Sequence, residues 1–211
     1  MKFKPIKTRK KFGRELYSIG ESYWIYYNGI RSMKYMYKAK RNKELDSKFI
    51  ERIMLAVTEV NNCWLCSYAH TKKALEKGMS NEEIQKILAG NIDDVPEDEI
   101  KAVFFAQYYA NRRGKPTLQS WQHIVEIYGI SKALGILGSI RTIMMGNIYG
   151  FPWISFYNRL KGKPDERSSL KYEIIMILGS ILIPIALIHA LISDLLKKPT
   201  INFKNFKIKE I

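Results

Sequence analysis

Along this chain, apolar positions recur in runs of helical length, and glycine and proline fall between the runs. No run sustains the alternation of a strand, so the pattern predicts a protein that is nearly all helix. The first predicted helix spans 15–40 and carries Tyr23, Trp24, Tyr26 and Tyr27, which read as core or interface filling. A second helix, "DSKFIERIMLAVTEV", takes Asp46 or Ser47 as its cap, and a third begins near Asn62 and stops at Gly78. Ser80, with Glu83 three residues on, has the spacing of a capping box for the short helix "NEEIQKILA", which ends at Gly90. Pro96 suits the start of the next helix, which ends at Gly114, and two more are predicted at 117–128 and 131–149.

Beyond Phe151 the pattern changes. A basic, turn-rich stretch, "NRLKGKPDERSS", leads to an apolar run, and 174–193 holds no charged residue if His189 is neutral. Twenty residues of helix reach roughly 30 Å, the thickness of a bilayer's hydrocarbon. The competing reading is a helix buried in an oligomer core. Pro184 is better tolerated in a membrane helix than in most soluble ones, and His189 lies near one end, so membrane embedding is the expectation. Arg159, Lys161, Lys163, Arg167 and Lys171 precede the run, and Lys197, Lys198, Lys204, Lys207 and Lys209 follow it. The matched basic flanks therefore set no orientation. The expected organisation is a basic arm at 1–14, a helical domain at 15–150, a basic linker at 151–172, the apolar helix at 173–198 and a basic tail at 199–211.

A chain of 211 residues can bury a full core without covalent staples. Its net charge of +15 is uneven, since residues 1–14 hold seven Lys or Arg and no acid. Such arms either touch anionic lipid or are solvated tails. Nucleic acid is set aside as a partner, because the basic residues are not interleaved with a recognisable binding module. The first residues lack the apolar core of a secretory signal, so a cytosolic domain is expected. In that reducing compartment, two cysteines spaced C-x-x-C point to catalysis or metal binding rather than a staple.

The pair lies in "TEVNNCWLCSYAHTKKALEKG". At about 100° per residue, Cys63, Cys66 and His70 fall within a sector of roughly 60° and can face one pocket. A thiol in the first turn of a helix also feels the positive end of the macrodipole, which favours its thiolate. Thiolate, second thiol and imidazole are the parts needed for two-electron thiol chemistry. Glu51 shares a helical stripe with Leu55, Thr58 and Asn62, and a turn at Asn61 and Asn62 would aim it toward His70. Glu59, four residues before Cys63, is the other candidate carboxylate, and the turn geometry decides between them.

The segment "ERIMLAVTEVNNCWLCSYAHTKKALEKGMSNEEI" resembles the core of the alkylhydroperoxidase D and carboxymuconolactone decarboxylase superfamily. In that core a glutamate lies twelve residues before a C-x-x-C-x-x-x-H helix, as Glu51 does before Cys63, and a glycine and a capped short helix follow. The match is good over 46–109 and extends more weakly to Tyr149. The resemblance implies an all-α alkylhydroperoxidase D-like bundle, to which the apolar C-terminal helix is an addition, and assembly as trimers or their multiples. It implies a peroxidase or disulfide reductase with Cys66 attacking, Cys63 resolving and Glu51 and His70 relaying protons; no cofactor or metal is expected, and a dithiol partner is expected as reductant. Where the best-studied peroxidases have a second histidine just before the second cysteine, this chain has Leu65, which shortens the relay. The decarboxylases of the superfamily generally lack the cysteine pair.

Zinc is the chemical rival for two thiolates and an imidazole, but structural zinc sites draw ligands from two elements, and His123 and His189 stand alone in sequence. Each of these reads as a satisfied or surface histidine. Trp64 and Tyr68 flank the expected pocket, where packing is their default role. Asn147 lies in "GNIYGFPW", which resembles a family loop near a subunit contact or pocket entrance and receives no catalytic role. Two functions from different classes follow: a thiol peroxidase or disulfide oxidoreductase held at a membrane, and a noncatalytic membrane-associated sensor or assembly protein with a switchable dithiol.

Overall fold

The computed structural model describes residues 16–202; the predicted basic arm and the tail from 203 onward lie outside the described residues. Among those residues every regular element is helical: α1 (Ile19–Arg41), α2 (Ser47–Asn61), α3 (Trp64–Glu76), α4 (Asn81–Leu88), α5 (Glu97–Asn111), α6 (Leu118–Leu160), α7 (Leu170–Leu178) and α8 (Leu182–Leu195). A single 3₁₀ turn (Gly179–Ile181) joins the last two. The all-α bundle with an added apolar C-terminal helix is as the pattern predicts.

Helix α2 sits at the centre because nearly all of its surface is apolar or paired: residues from Phe49 to Val60 are buried with the exception of Glu59, which is half-buried. It packs on α3, α4, α5 and α6, while α1 lies along α6 and carries α8 on its other flank. Arg52 is tolerated in this interior because it ion-pairs with Glu83 at 2.5 Å and Glu99 at 3.0 Å, tying α2 to α4 and α5. A second, smaller apolar cluster, with Leu55, Ala74, Ile84, Ile87 and Val103 at its centre, fixes α4 against the base of α2.

Several boundaries differ from the sequence expectation, each for a local reason. Helix α1 starts at Ile19 rather than 15, because Ser18 accepts from the Glu21 N–H while the Glu21 carboxylate accepts from the Ser18 N–H, a reciprocal capping box. At Ser80 the expected box is half present. Its hydroxyl caps the Glu83 N–H, but the Glu83 carboxylate turns to Arg52. The predicted break after Tyr128 is present as a left-handed Gly129 (φ 71°, ψ 158°) inside α6.

The helix predicted to stop at 149 instead continues to Leu160, so the expected linker shrinks to 161–169. "GNIYGFPW" is thus helical rather than a loop. Pro152 costs the Ile148 carbonyl its helical donor, but Ile148, Phe151 and Ser155 are buried on a continuous face, and Arg159 ends the helix paired with Glu173 at 2.8 Å. Downstream, Pro184 cannot donate to Ser180, and the backbone just before it tightens into the 3₁₀ turn.

Candidate functional site

Asn62 adopts the left-handed conformation (φ 51°, ψ 49°) that asparagine accepts more readily than most residues. This reverses the chain at once, so α3 packs back on α2. Cys63 then takes the N-cap position of α3, with Cys66 in the first turn and His70 one turn further. The Cys63 carbonyl accepts from the Ser67 N–H at 2.9 Å and the Ser67 hydroxyl at 3.1 Å, which fixes the entry to the helix.

The turn decides between the two candidate carboxylates. His70 Nδ1 donates to Glu51 Oε2 at 2.6 Å, with both side chains buried. Glu59 points elsewhere, its carboxylate lying against Gly90 at the far end of α4. With Nδ1 committed to Glu51, Nε2 of a neutral ring is left as the acceptor.

Both cysteines are free thiols, and their side chains share a hydrogen bond. Cys63 is fully buried, whereas Cys66 is 9% exposed and the more accessible sulfur. The Cys63 thiol is held below its ordinary value chiefly by the Cys66 side chain, with the Cys66 and Leu65 amides and the Arg167 guanidinium adding to that effect. The same interaction, together with burial, pushes the Cys66 thiol up. The hydrogen bond within the pair and the position at the helix N-terminus both favour ionisation at Cys63 over Cys66.

Two residues that the sequence reading did not single out complete the surroundings. Gly150 of α6 passes directly over the thiols: a Cβ there would lie 3.3 Å from Cys66 Sγ and 3.5 Å from Cys63 Sγ. Arg167, from the loop before α7, donates to the Asn62 carbonyl from Nη1 and Nη2 at 3.3 and 3.4 Å, and its guanidinium carbon lies 4.6 Å from the Phe151 ring centroid. Asn147 is buried in α6 and exchanges hydrogen bonds with Thr58 at 3.1 and 3.2 Å, joining α6 to α2 behind the site. Trp64, Leu65 and Tyr68 are exposed on α3, with the Trp64 and Tyr68 rings stacked.

The other histidines lie apart from the thiols. His123 is exposed near Glu126, and His189 Nδ1 meets the Tyr23 hydroxyl at 2.7 Å. Among the described residues no three His, Cys, Asp or Glu side chains converge as a metal site.

No curated protein and no solved structure matches the chain. Residues 31–106 match the model of the carboxymuconolactone decarboxylase family, a segment that holds Glu51, Cys63, Cys66 and His70 but neither Gly150, Arg167 nor the apolar C-terminal helix. Over that segment, from within α1 into α5, the chain is similar to the carboxymuconolactone decarboxylase family.

Proposed function

We propose that the protein is a thiol-dependent peroxidase or disulfide oxidoreductase of the alkylhydroperoxidase D type, held at the cytosolic face of a membrane by its apolar C-terminal helix. The observation that carries this reading is the contact between two free thiols at the start of α3, one turn from a His70 ring bonded to Glu51 at 2.6 Å. Two electrons leave the pair as one disulfide forms.

Cys66, the more accessible sulfur, attacks the distal oxygen of a hydroperoxide. Its proton passes to His70 Nε2, and the O–O bond breaks. The leaving alkoxide takes that proton and departs as an alcohol, which leaves a sulfenic acid on Cys66. The Cys63 thiolate then attacks the Cys66 sulfur. The S–O bond breaks, and hydroxide leaves as water after protonation. A dithiol partner reduces the resulting disulfide by exchange. Glu51 fixes the imidazole and stabilises its transient positive charge.

Cys66→Ser should abolish peroxide consumption in the presence of excess dithiol, and undiminished turnover by that variant would rule this mechanism out. Near-complete burial of both sulfurs favours one alternative, a sensor that reacts once. Progress curves with excess peroxide and reductant separate the two, since the enzyme continues past one equivalent and the sensor stops there.

A further inference from the structure

The segment Leu170–Leu195 is long and apolar enough to cross a membrane, yet it lies along the bundle with two unlike sides. Its inner side is polar or small apart from Met176: Glu173, Met176, Gly179, Ala186, Ala190 and Ser193 are buried there. The outer side repeats at alternating intervals of four and three, through Ile174, Leu178, Ile181, Ile185, Ile188, Ile192 and Leu195. All seven are between 42% and 81% exposed. A continuous apolar ridge of this length is far more than a soluble surface normally carries.

The inner side argues against a free-standing span. Tyr27 donates to Ser193 Oγ at 2.9 Å, Tyr23 meets His189, and Asp194 pairs with Arg31 at 2.9 Å and with Lys34 at 2.5 Å. Glu173, fully buried, pairs with Arg159. Drawing the helix across a bilayer would either strip these carboxylates of their partners or pull Arg31 and Lys34 into hydrocarbon.

The margins of the ridge argue for lipid over a second copy. A helix seam in water carries charges beside its apolar positions to set the pairing. Here those margins are Ile175, Ile177, Leu182, Pro184, Leu191 and Leu196, with His189 alone polar and already bonded to Tyr23. Basic residues bracket the ridge instead, with Lys163 and Lys171 before it and Lys197 and Lys198 after it, all exposed, in a chain of net charge +15. Trp24 of α1, about half exposed, packs edge-on against His189 of α8, a position suited to the headgroup region.

We infer that Leu170–Leu195 is an in-plane anchor: it stays docked on α1 and α6 and sinks its outer ridge into one leaflet of an anionic bilayer, both ends remaining on the same side. This rests on the membrane part of the proposed function and is independent of the thiol chemistry.

Flotation of the full chain with phosphatidylcholine vesicles containing phosphatidylglycerol tests it. The wild type should float and stay bound in high salt. An Ile181→Glu, Ile188→Glu variant, altered only at exposed positions, should lose flotation while keeping its helical circular dichroism. Failure of the wild type to float overturns both the anchor and the membrane reading, and self-association abolished by the same variant would then assign the ridge to a second copy. Sidedness is read in a Cys63→Ser, Cys66→Ser background with Lys171→Cys or Lys197→Cys, using an impermeant maleimide on intact vesicles. Full labelling at both ends supports the in-plane anchor. One end protected until detergent is added overturns it in favour of a span and leaves the membrane reading standing.

Discussion

Arg167 reaches Asn62 across 105 positions of sequence, from outside the family segment, and brings a positive charge toward the N-cap sulfur. Its own geometry is fixed by Asp165 at 2.8 Å and by the Phe151 ring beneath it. Because the guanidinium favours the Cys63 thiolate, Arg167→Ala should move the pH titration of the thiolate's ultraviolet absorbance upward. The sign follows from the charge: a thiol whose value rises toward the ordinary one is less ionised at neutral pH. The shift should be smaller than the one that loss of the Cys66 side chain causes, and Arg167→Lys should recover most of it because the charge is kept. An unchanged profile in the alanine variant would leave Arg167 a purely structural latch. Cys63, Cys66 and His70 were legible as one group through helical spacing, whereas spacing left Glu51 and Glu59 open and only the family resemblance favoured Glu51. Gly150 and Arg167 were not legible, since their approach to the thiols depends on how α6 and the following loop pack, which no local pattern encodes.

At the level of elements, the tightest packing is between α1 and α6. A Cβ on Gly138 would lie 2.6 Å from the Ser32 carbonyl oxygen and 2.9 Å from the Met36 nitrogen, both main-chain atoms that cannot rotate away. Gly138→Ala therefore forces the helices apart. The overpacking cost of about 1–3 kcal/mol should exceed the ~1 kcal/mol that alanine adds to helix propensity, giving net destabilisation in urea unfolding. Gly20→Ala is the internal control. No atom lies within 4 Å of its added Cβ, so that variant should be as stable as the wild type or slightly more so. Periodicity made most helices legible, and glycine marked their ends at Gly78, Gly90 and Gly114, each with positive φ. It misplaced the end of α6 because the pattern turns basic and turn-rich beyond Phe151, whereas burial on either side of Pro152 carries the helix onward. The start of α1 was legible in "SIGE" but was hidden by the apolar and aromatic residues just before it.

For the molecule as a whole, acid stability tests how the ends of the bundle are held together. Glu21, at the start of α1, pairs with Arg113 just beyond α5 at 2.7 Å, and the Arg113 guanidinium carbon lies 4.3 Å from the Tyr17 ring centroid. That guanidinium, first among the causes, holds the Glu21 carboxyl down at about 2 against an ordinary 4.5, assisted by Ser18. A carboxyl lowered in the folded state contributes its stability above the unfolded value and loses it as protons bind. The wild type should therefore lose stability as pH falls from about 4.5 toward 2, a fall deepened by self-repulsion in a chain already at +15 at neutral pH. Glu21→Gln removes the titration but not the general charge effect. Its urea midpoint should lie below the wild type's at pH 7, and the two should converge near pH 2. Parallel curves with a constant offset would mean that the end of α5 is held to α1 by packing on Tyr17, with the ion pair adding nothing that protons can remove.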